Sequence, residues 1–192
     1  MMRIIAGSLR GRVLRGPRGS AIRPTSGLLR EAIFDSLQAR RYCLTRVLDL
    51  YAGTGAMGIE ALSRGAEWVD FVDRSPAACA LIRDNLRRTS MAGRCRVHCT
   101  AILRALGHLS GPYNAVFCDP PYRESPWPVL LETISLAGLI APGGVLVAEH
   151  PANGDLPQGA AGLALVLQRS HGDSAFSIYG AEETRDTGHL PR

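Results

Sequence analysis

Apolar and polar positions along this 192-residue chain follow two alternating periods. Short, largely apolar runs recur at residues 46–50, 68–73, 96–99, 115–118 and 145–149, and between them apolar residues return at helical spacing. Strands buried on both faces read as such runs, whereas helices repeat every 3.6 residues, so the pattern predicts a parallel sheet covered on both sides by helices. The first helix is expected over residues 28–40, with Leu29, Ile33, Phe34 and Leu37 on the face that docks on the rest of the chain. A second carries Ile59 and Leu62 and stops at Gly65. Ser75-Pro76 opens a third, an N-cap followed by proline at the first helical position, with Ala78, Leu81, Ile82 and Leu86 inward. Shorter helices fall at 102–109 and 129–137, and Ala141-Pro142-Gly143-Gly144 reads as a turn. Two last strands, 163–168 and 175–179, are joined by a short polar turn around His171-Gly172-Asp173 and should pair antiparallel.

Upstream, residues 1–14 alternate weakly around Gly7 and Gly11, which suggests a short hairpin with arginines outside. The organisation expected is therefore an arm and loop at 1–27, a main domain at 28–180 and a polar, disordered tail at 181–192. One core suits this length. The five cysteines are odd in number and scattered, with no secretory signal before them, which favours a reduced, cytoplasmic setting. Cys95, His98 and Cys99 lie close together but lack a second ligand pair, so buried thiols fit better than zinc, and no metal is expected. No apolar run approaches the length needed to span a bilayer.

Charge sharpens the picture. All 22 basic side chains are arginine, and residues 1–30 hold seven of them (Arg3, Arg10, Arg12, Arg15, Arg18, Arg23, Arg30) with no acid. Concentrated guanidinium groups suit phosphates and base edges, so the arm is read as a nucleic-acid contact.

Candidate chemistry sits at two strand ends. Asp49-Leu50-Tyr51-Ala52-Gly53-Thr54-Gly55 is a strand breaking into a glycine turn and a helix, where backbone N–H groups can approach a ligand. Gly53 to Gly58 matches G-x-G-x-x-G with Asp73 following, as a nicotinamide dinucleotide site would. Asp49, however, would repel a pyrophosphate and attract an ammonium. Together with Asp73, whose two oxygens can take both ribose hydroxyls, it suits S-adenosylmethionine. Later, Asp119-Pro120-Pro121-Tyr122 closes another strand. A nucleobase amine needs acceptors that draw its nitrogen toward tetrahedral geometry before it can attack a sulfonium methyl. The Asp119 carboxylate and Pro120 carbonyl are such acceptors, and Tyr122 offers a stacking face.

On these residues the chain resembles class I S-adenosylmethionine-dependent methyltransferases, and more narrowly the RsmD family of 16S rRNA (guanine-N2)-methyltransferases. The stretches that carry the resemblance are R-I-I-A-G-S-L-R-G-R at 3–12, R-P-T at 23–25 with Arg30-Glu31, V-L-D-L-Y-A-G-T-G-A-M-G at 47–58, D-P-P-Y, and G-D-S-A-F-S-I-Y at 172–179. The resemblance implies a Rossmann-like, seven-stranded, mostly parallel α/β sheet with an antiparallel C-terminal hairpin. It also implies a monomeric enzyme acting on a guanine of 16S rRNA in the small subunit. Cofactor contacts would fall to Asp49, Tyr51, Ala52, Gly53, Thr54, Gly55, Asp73, Thr100 and Ala101. RNA contacts would fall to Arg3, Arg10, Arg12, Arg15, Arg23, Thr25 and Tyr122, and catalysis to Asp119, Pro120 and Tyr122. The chain departs from the family pattern at Thr100-Ala101, where an acid often binds the adenine, at Gly27-Leu28 and at His171. Rival readings are a DNA adenine-N6 methyltransferase, a non-catalytic RNA-binding assembly factor and an NAD-dependent oxidoreductase.

Overall fold

A computed structural model describes residues 2–17, 27–121 and 127–181. The N-terminal hairpin pairs β1 (Met2–Arg3) with β2 (Val13–Leu14). Helix α1 (Gly27–Ala39) then leads into the main sheet. There β3 (Arg46–Leu50), β4 (Trp68–Asp73), β5 (Cys95–Cys99), β6 (Tyr113–Cys118), β7 (Ile140–Pro151), β8 (Gly159–Ala160), β9 (Leu163–His171) and β10 (Ser174–Ala181) alternate with α2 (Ala56–Ser63), α3 (Pro76–Thr89), α4 (Ile102–Leu106) and α5 (Trp127–Leu136). The spatial order is β5-β4-β3-β6-β7-β10-β9-β8, parallel from β5 to β7 and antiparallel beyond. The seven expected strands are joined by an eighth, β8, whose Gly-Ala pair gives no alternation for sequence reading to detect.

One face of the sheet is covered by α1, α2, α3 and the hairpin, which share a core with Val47, Phe71, Phe117 and Phe176. The other face lies under α4 and α5, against Leu48, Val72, Val116 and Leu146. Expected helix limits shift by a residue or two, apart from the short helix, which ends at Leu106 rather than 109. Residues 141–144 are corrected from a turn to part of β7: pairing runs Tyr113 with Ile140 and then jumps to Ala115 with Val145. Pro142 cannot donate to the ladder, so the strand bulges there and recovers its register.

Helix α2 is buried at all eight positions, unlike a half-exposed surface helix. The sheet lies beneath it so closely that a Cβ at Gly58 would sit 2.3 Å from the Phe71 ring. The hairpin lies above. Ile5 and Ala6 N–H groups donate to the Glu60 carboxylate (2.8 and 2.9 Å), Leu9 N–H to Ser63 Oγ (3.0 Å) and Ser8 N–H to the Ser63 carbonyl (2.8 Å). Glu60 and Ser63, three apart on one helical face, thus hold the hairpin's backbone. The close approach requires glycine at Gly7, where a Cβ would fall 1.9 Å from the Ser63 carbonyl oxygen. Ile4, Leu9 and Leu14 complete the seal, so the hairpin is half core, with Arg3, Arg10, Arg12 and Arg15 exposed on its outside.

The cysteines are corrected in part. Cys79 and Cys118 are buried, but Cys43, between α1 and β3, is exposed, and Cys99 is exposed and Cys95 half-buried because β5 is an edge strand covered incompletely. His98 bonds to the buried Asp70 (2.8 Å), which also accepts from Tyr113 (2.9 Å) and the Trp68 indole (2.9 Å). No helix among the described residues is long and apolar enough to cross a membrane. The tail lies outside those residues beyond Ala181, which ends β10.

Candidate active site

Sheet register brings the candidate segments to one edge. Leu50 pairs with Val72 and with Cys118, and Asp73 pairs with Cys99, so β3, β4, β5 and β6 end side by side. The chain order reverses between β3 and β6, and ligands of open α/β sheets bind at the carboxyl ends of strands at such a point. From this edge emerge the Tyr51–Gly55 turn, Asp73, Thr100-Ala101 and Asp119-Pro120-Pro121. Tyr122, Arg23 and Thr25 lie outside the described residues.

Three residues of the turn adopt positive φ: Tyr51 (56°), Gly53 (53°) and Gly55 (77°). For tyrosine this conformation costs on the order of 1–2 kcal/mol, the kind of strain that clusters where a ligand is gripped. Side chains hold the turn. Gly53 N–H donates to Asp73 Oδ2 (2.9 Å), Ser75 N–H to Asp73 Oδ1 (2.8 Å) and Gly58 N–H to Asp49 Oδ2 (2.9 Å). Both acids therefore shape the cradle before any ligand arrives, a task the spacing did not reveal. Each carboxylate oxygen keeps a second lone pair for a ligand.

Burial pushes the Asp49 carboxyl up to about 8; the Gly58 N–H opposes this, and the neighbouring Asp119 and Asp73 carboxylates add to it. Burial raises the Cys118 thiol as well, again with Asp119 and Asp49 beside it. Three acids crowd one shielded space, where a cation would relieve their repulsion. A cationic ligand needs Asp49 ionised, so its affinity should climb as pH rises from about 6 to about 8, then level off. Calorimetry in buffers of different ionisation enthalpy should record proton release on binding at pH 7. The fold itself feels the opposite sign. Between pH 4 and 8 the folded chain holds a proton that the unfolded chain has lost, so this group's stabilisation fades as pH rises through that window.

Thr100 N–H donates to the Asp73 carbonyl (3.0 Å), which ties the end of β5 to β4, and Ala101 is exposed at the start of α4. Asp119 is half-buried, Pro120 buried and Pro121 exposed. Ala52 and Thr54 are buried within the turn.

Sequence reading missed Asn85. It sits fully buried on α3, where its amide donates to the carbonyls of Thr54 (3.0 Å) and Arg15 (3.1 Å) and accepts from Arg15 N–H (2.8 Å). One side chain thereby fastens both the glycine turn and the hairpin. The available signal was a polar residue at core spacing with Ile82 and Leu86; Leu81, expected inward, is only half-buried. Asn85→Ala takes the partner from the buried Thr54 carbonyl, a loss of about 1–3 kcal/mol, and loosens two part-buried Arg15 groups, so ligand affinity should fall about tenfold by calorimetry.

The chain matches the family model described as Conserved hypothetical protein 95 over residues 2–180. It is 35% identical to YlbH of Bacillus subtilis, which bears an rRNA methyltransferase name, over 93% of this chain and 98% of that protein. It is 34% identical to ribosomal RNA small subunit methyltransferase D of Escherichia coli K12, over 94% of this chain and 90% of that one. Among solved structures, Escherichia coli yhhF superposes with a TM-score of 0.83 at 32% identity, covering 95% of this chain and 98% of its own.

Proposed function

The chain belongs to the Conserved hypothetical protein 95 family, the RsmD group of class I methyltransferases, and from that premise we propose that it methylates the exocyclic N2 amine of a guanine in small-subunit ribosomal RNA. Its cofactor is S-adenosylmethionine. The observation that carries the proposal is the junction of β3 and β6, which places Asp119-Pro120 beside the glycine turn, with Asp119 close enough to raise Asp49.

The residues present fit that cofactor. Asp49 suits its ammonium, Asp73 its ribose hydroxyls, and the backbone of residues 51–55 its methionine and adenosine moieties. Thr100 and Ala101 flank the adenine side through a hydroxyl or backbone groups in place of an acid. When bound, S-adenosylmethionine supplies a methyl group on a sulfonium. The Asp119 carboxylate and the Pro120 carbonyl accept the two N–H groups of the incoming amine and turn its lone pair toward that methyl. Pro120 and Pro121 fix the backbone, so these acceptors do not reorganise during the reaction. Methylation makes the amine acidic, and its proton leaves to Asp119 or to water. Tyr122 provides the stacking face. The segment 1–27 acts as the RNA arm through Arg3, Arg10, Arg12, Arg15, Arg23 and Thr25, and 28–180 as the catalytic domain.

Incubating the protein with labelled S-adenosylmethionine and small subunits that lack the modification should place label in one nucleotide. Mass spectrometry should identify it as N2-methylguanine. Label in an adenine, or in DNA but not RNA, would replace the proposed substrate; binding of NAD without S-adenosylmethionine would end the methyltransferase reading.

A further inference from the structure

Building on the rRNA reading above, we infer that the RNA backbone docks on an arginine ridge shared by the hairpin and α3, and that α3 leads the strand from there to the catalytic edge. The exposed residues of α3 are Pro76, Ala77, Ala80, Arg83, Arg87 and Arg88. The N-terminal half, which leaves the strand edge just after Asp73, is small and uncharged on its exposed side, and the C-terminal, far half is basic.

The hairpin brings its own arginines to that far half. Arg12 Nη1 donates to the Arg88 carbonyl (3.2 Å), and Arg15 Nη1 meets Asp84 at 3.0 Å. Asp84, the acid of α3, is held from the other side by Arg87 at 3.6 Å. Its side chain is only 28% exposed, whereas those of Arg15 and Arg87 are 60% and 67% exposed. The acid is turned largely under and the guanidinium groups face outward, so the surface a polyanion meets is predominantly positive. Arginines in the last turn of a helix also favour its dipole, which would account for Arg87 and Arg88 alone. The dipole does not account for the hairpin arginines converging on the same place; Arg83, a turn earlier, also reaches the Val97 carbonyl of β5 (3.4 Å).

Helix α3 runs 14 residues, roughly 20 Å at 1.5 Å per residue. The ridge occupies Arg83 to Arg88, so backbone anchoring lies roughly 10–18 Å along the helix from its start at the catalytic edge, and the substrate must be long enough to reach both. The amine contacts at Asp119 and Pro120 then act on RNA already in register, since phosphate contacts position while base contacts specify.

The test compares the unaltered full-length protein, Arg87→Gln/Arg88→Gln, and Arg96→Gln, an exposed arginine on β5 outside the ridge. RNA binding is measured on unmodified small subunits between 50 and 200 mM salt. The double variant should reduce the slope of log K against log salt by about 1.5 and raise the RNA KM about tenfold. Its kcat and S-adenosylmethionine affinity should be unchanged, and Arg96→Gln should behave like the unaltered protein. A double variant with the unaltered slope and KM overturns the ridge while leaving the rRNA reading intact. No salt-dependent RNA binding by the unaltered protein would overturn the rRNA reading and the ridge together.

Discussion

Replacing Asp119 with alanine should lower methyl transfer about a thousandfold or more, since one preorganised acceptor alone is typically worth 10²–10³ in kcat and here its loss also unaligns the amine. Cofactor affinity should change far less, because Asp49 and Asp73 hold the glycine turn. A further sign follows from the electrostatics. Asp119 is one of the charges that raise Asp49, so its removal should shift the pH dependence of cofactor binding to lower pH. Asp119→Asn separates charge from geometry: it keeps one acceptor oxygen, and should retain more activity than alanine while showing the same pH shift. Equal loss of transfer and of cofactor binding in both variants would mean that Asp119 serves the cofactor instead.

The largest structural effect is expected at Glu60. Its buried carboxylate accepts Ile5 and Ala6 N–H from the hairpin and Arg64 Nε (2.9 Å), and lies 3.7 Å from Arg30 Nε. Arg30 is itself 1% exposed, donates Nη2 to the Arg3 carbonyl (2.7 Å), and has no hydrogen-bond partner at Nε or Nη1 among the described residues. Burial lowers its pKa, and Glu60 is the charge that counters this. Glu60→Ala strands that guanidinium in the core and releases the hairpin. Breaking a buried pair costs about 3–5 kcal/mol, and at 2–4 °C per kcal/mol for a chain of this size the Tm should fall by about 10 °C. Adding Arg30→Met should recover a good part of the loss, since a buried pair replaced as a whole is often neutral. A Tm unchanged by Glu60→Ala, or a double variant no more stable than the single, would show that the pair does not hold the hairpin.

The strand and helix pattern was legible because each element obeys a short-range rule. Val47 to Leu50 and Ala115 to Cys118 are continuous apolar runs, and Ser75-Pro76 is a local start signal that the structure uses, with Ser75 Oγ accepting Ala78 N–H at 3.3 Å. The candidate residues at strand ends were legible for the same reason, since a parallel sheet brings those ends together whatever the details of packing. The extra strand β8 and the bulge at 141–144 were not, because each depends on a neighbouring strand. The exposure of Cys99 follows from β5 lying at the sheet edge, and a sequence does not state which strand is outermost.

Most elements, the edge at which the acids gather and the charge of the arm could be read from the chain alone, since all are properties of local periodicity and composition. Only the tertiary structure decided what covers what. It sank α2 beneath a hairpin fifty residues earlier in the chain, made Glu60 and Asn85 fasteners in place of surface polar residues, and turned Asp49 and Asp73 into props of the turn they were expected merely to face. The physical reason is that a buried polar group is stable only with partners, and those partners come from segments whose proximity no local pattern encodes.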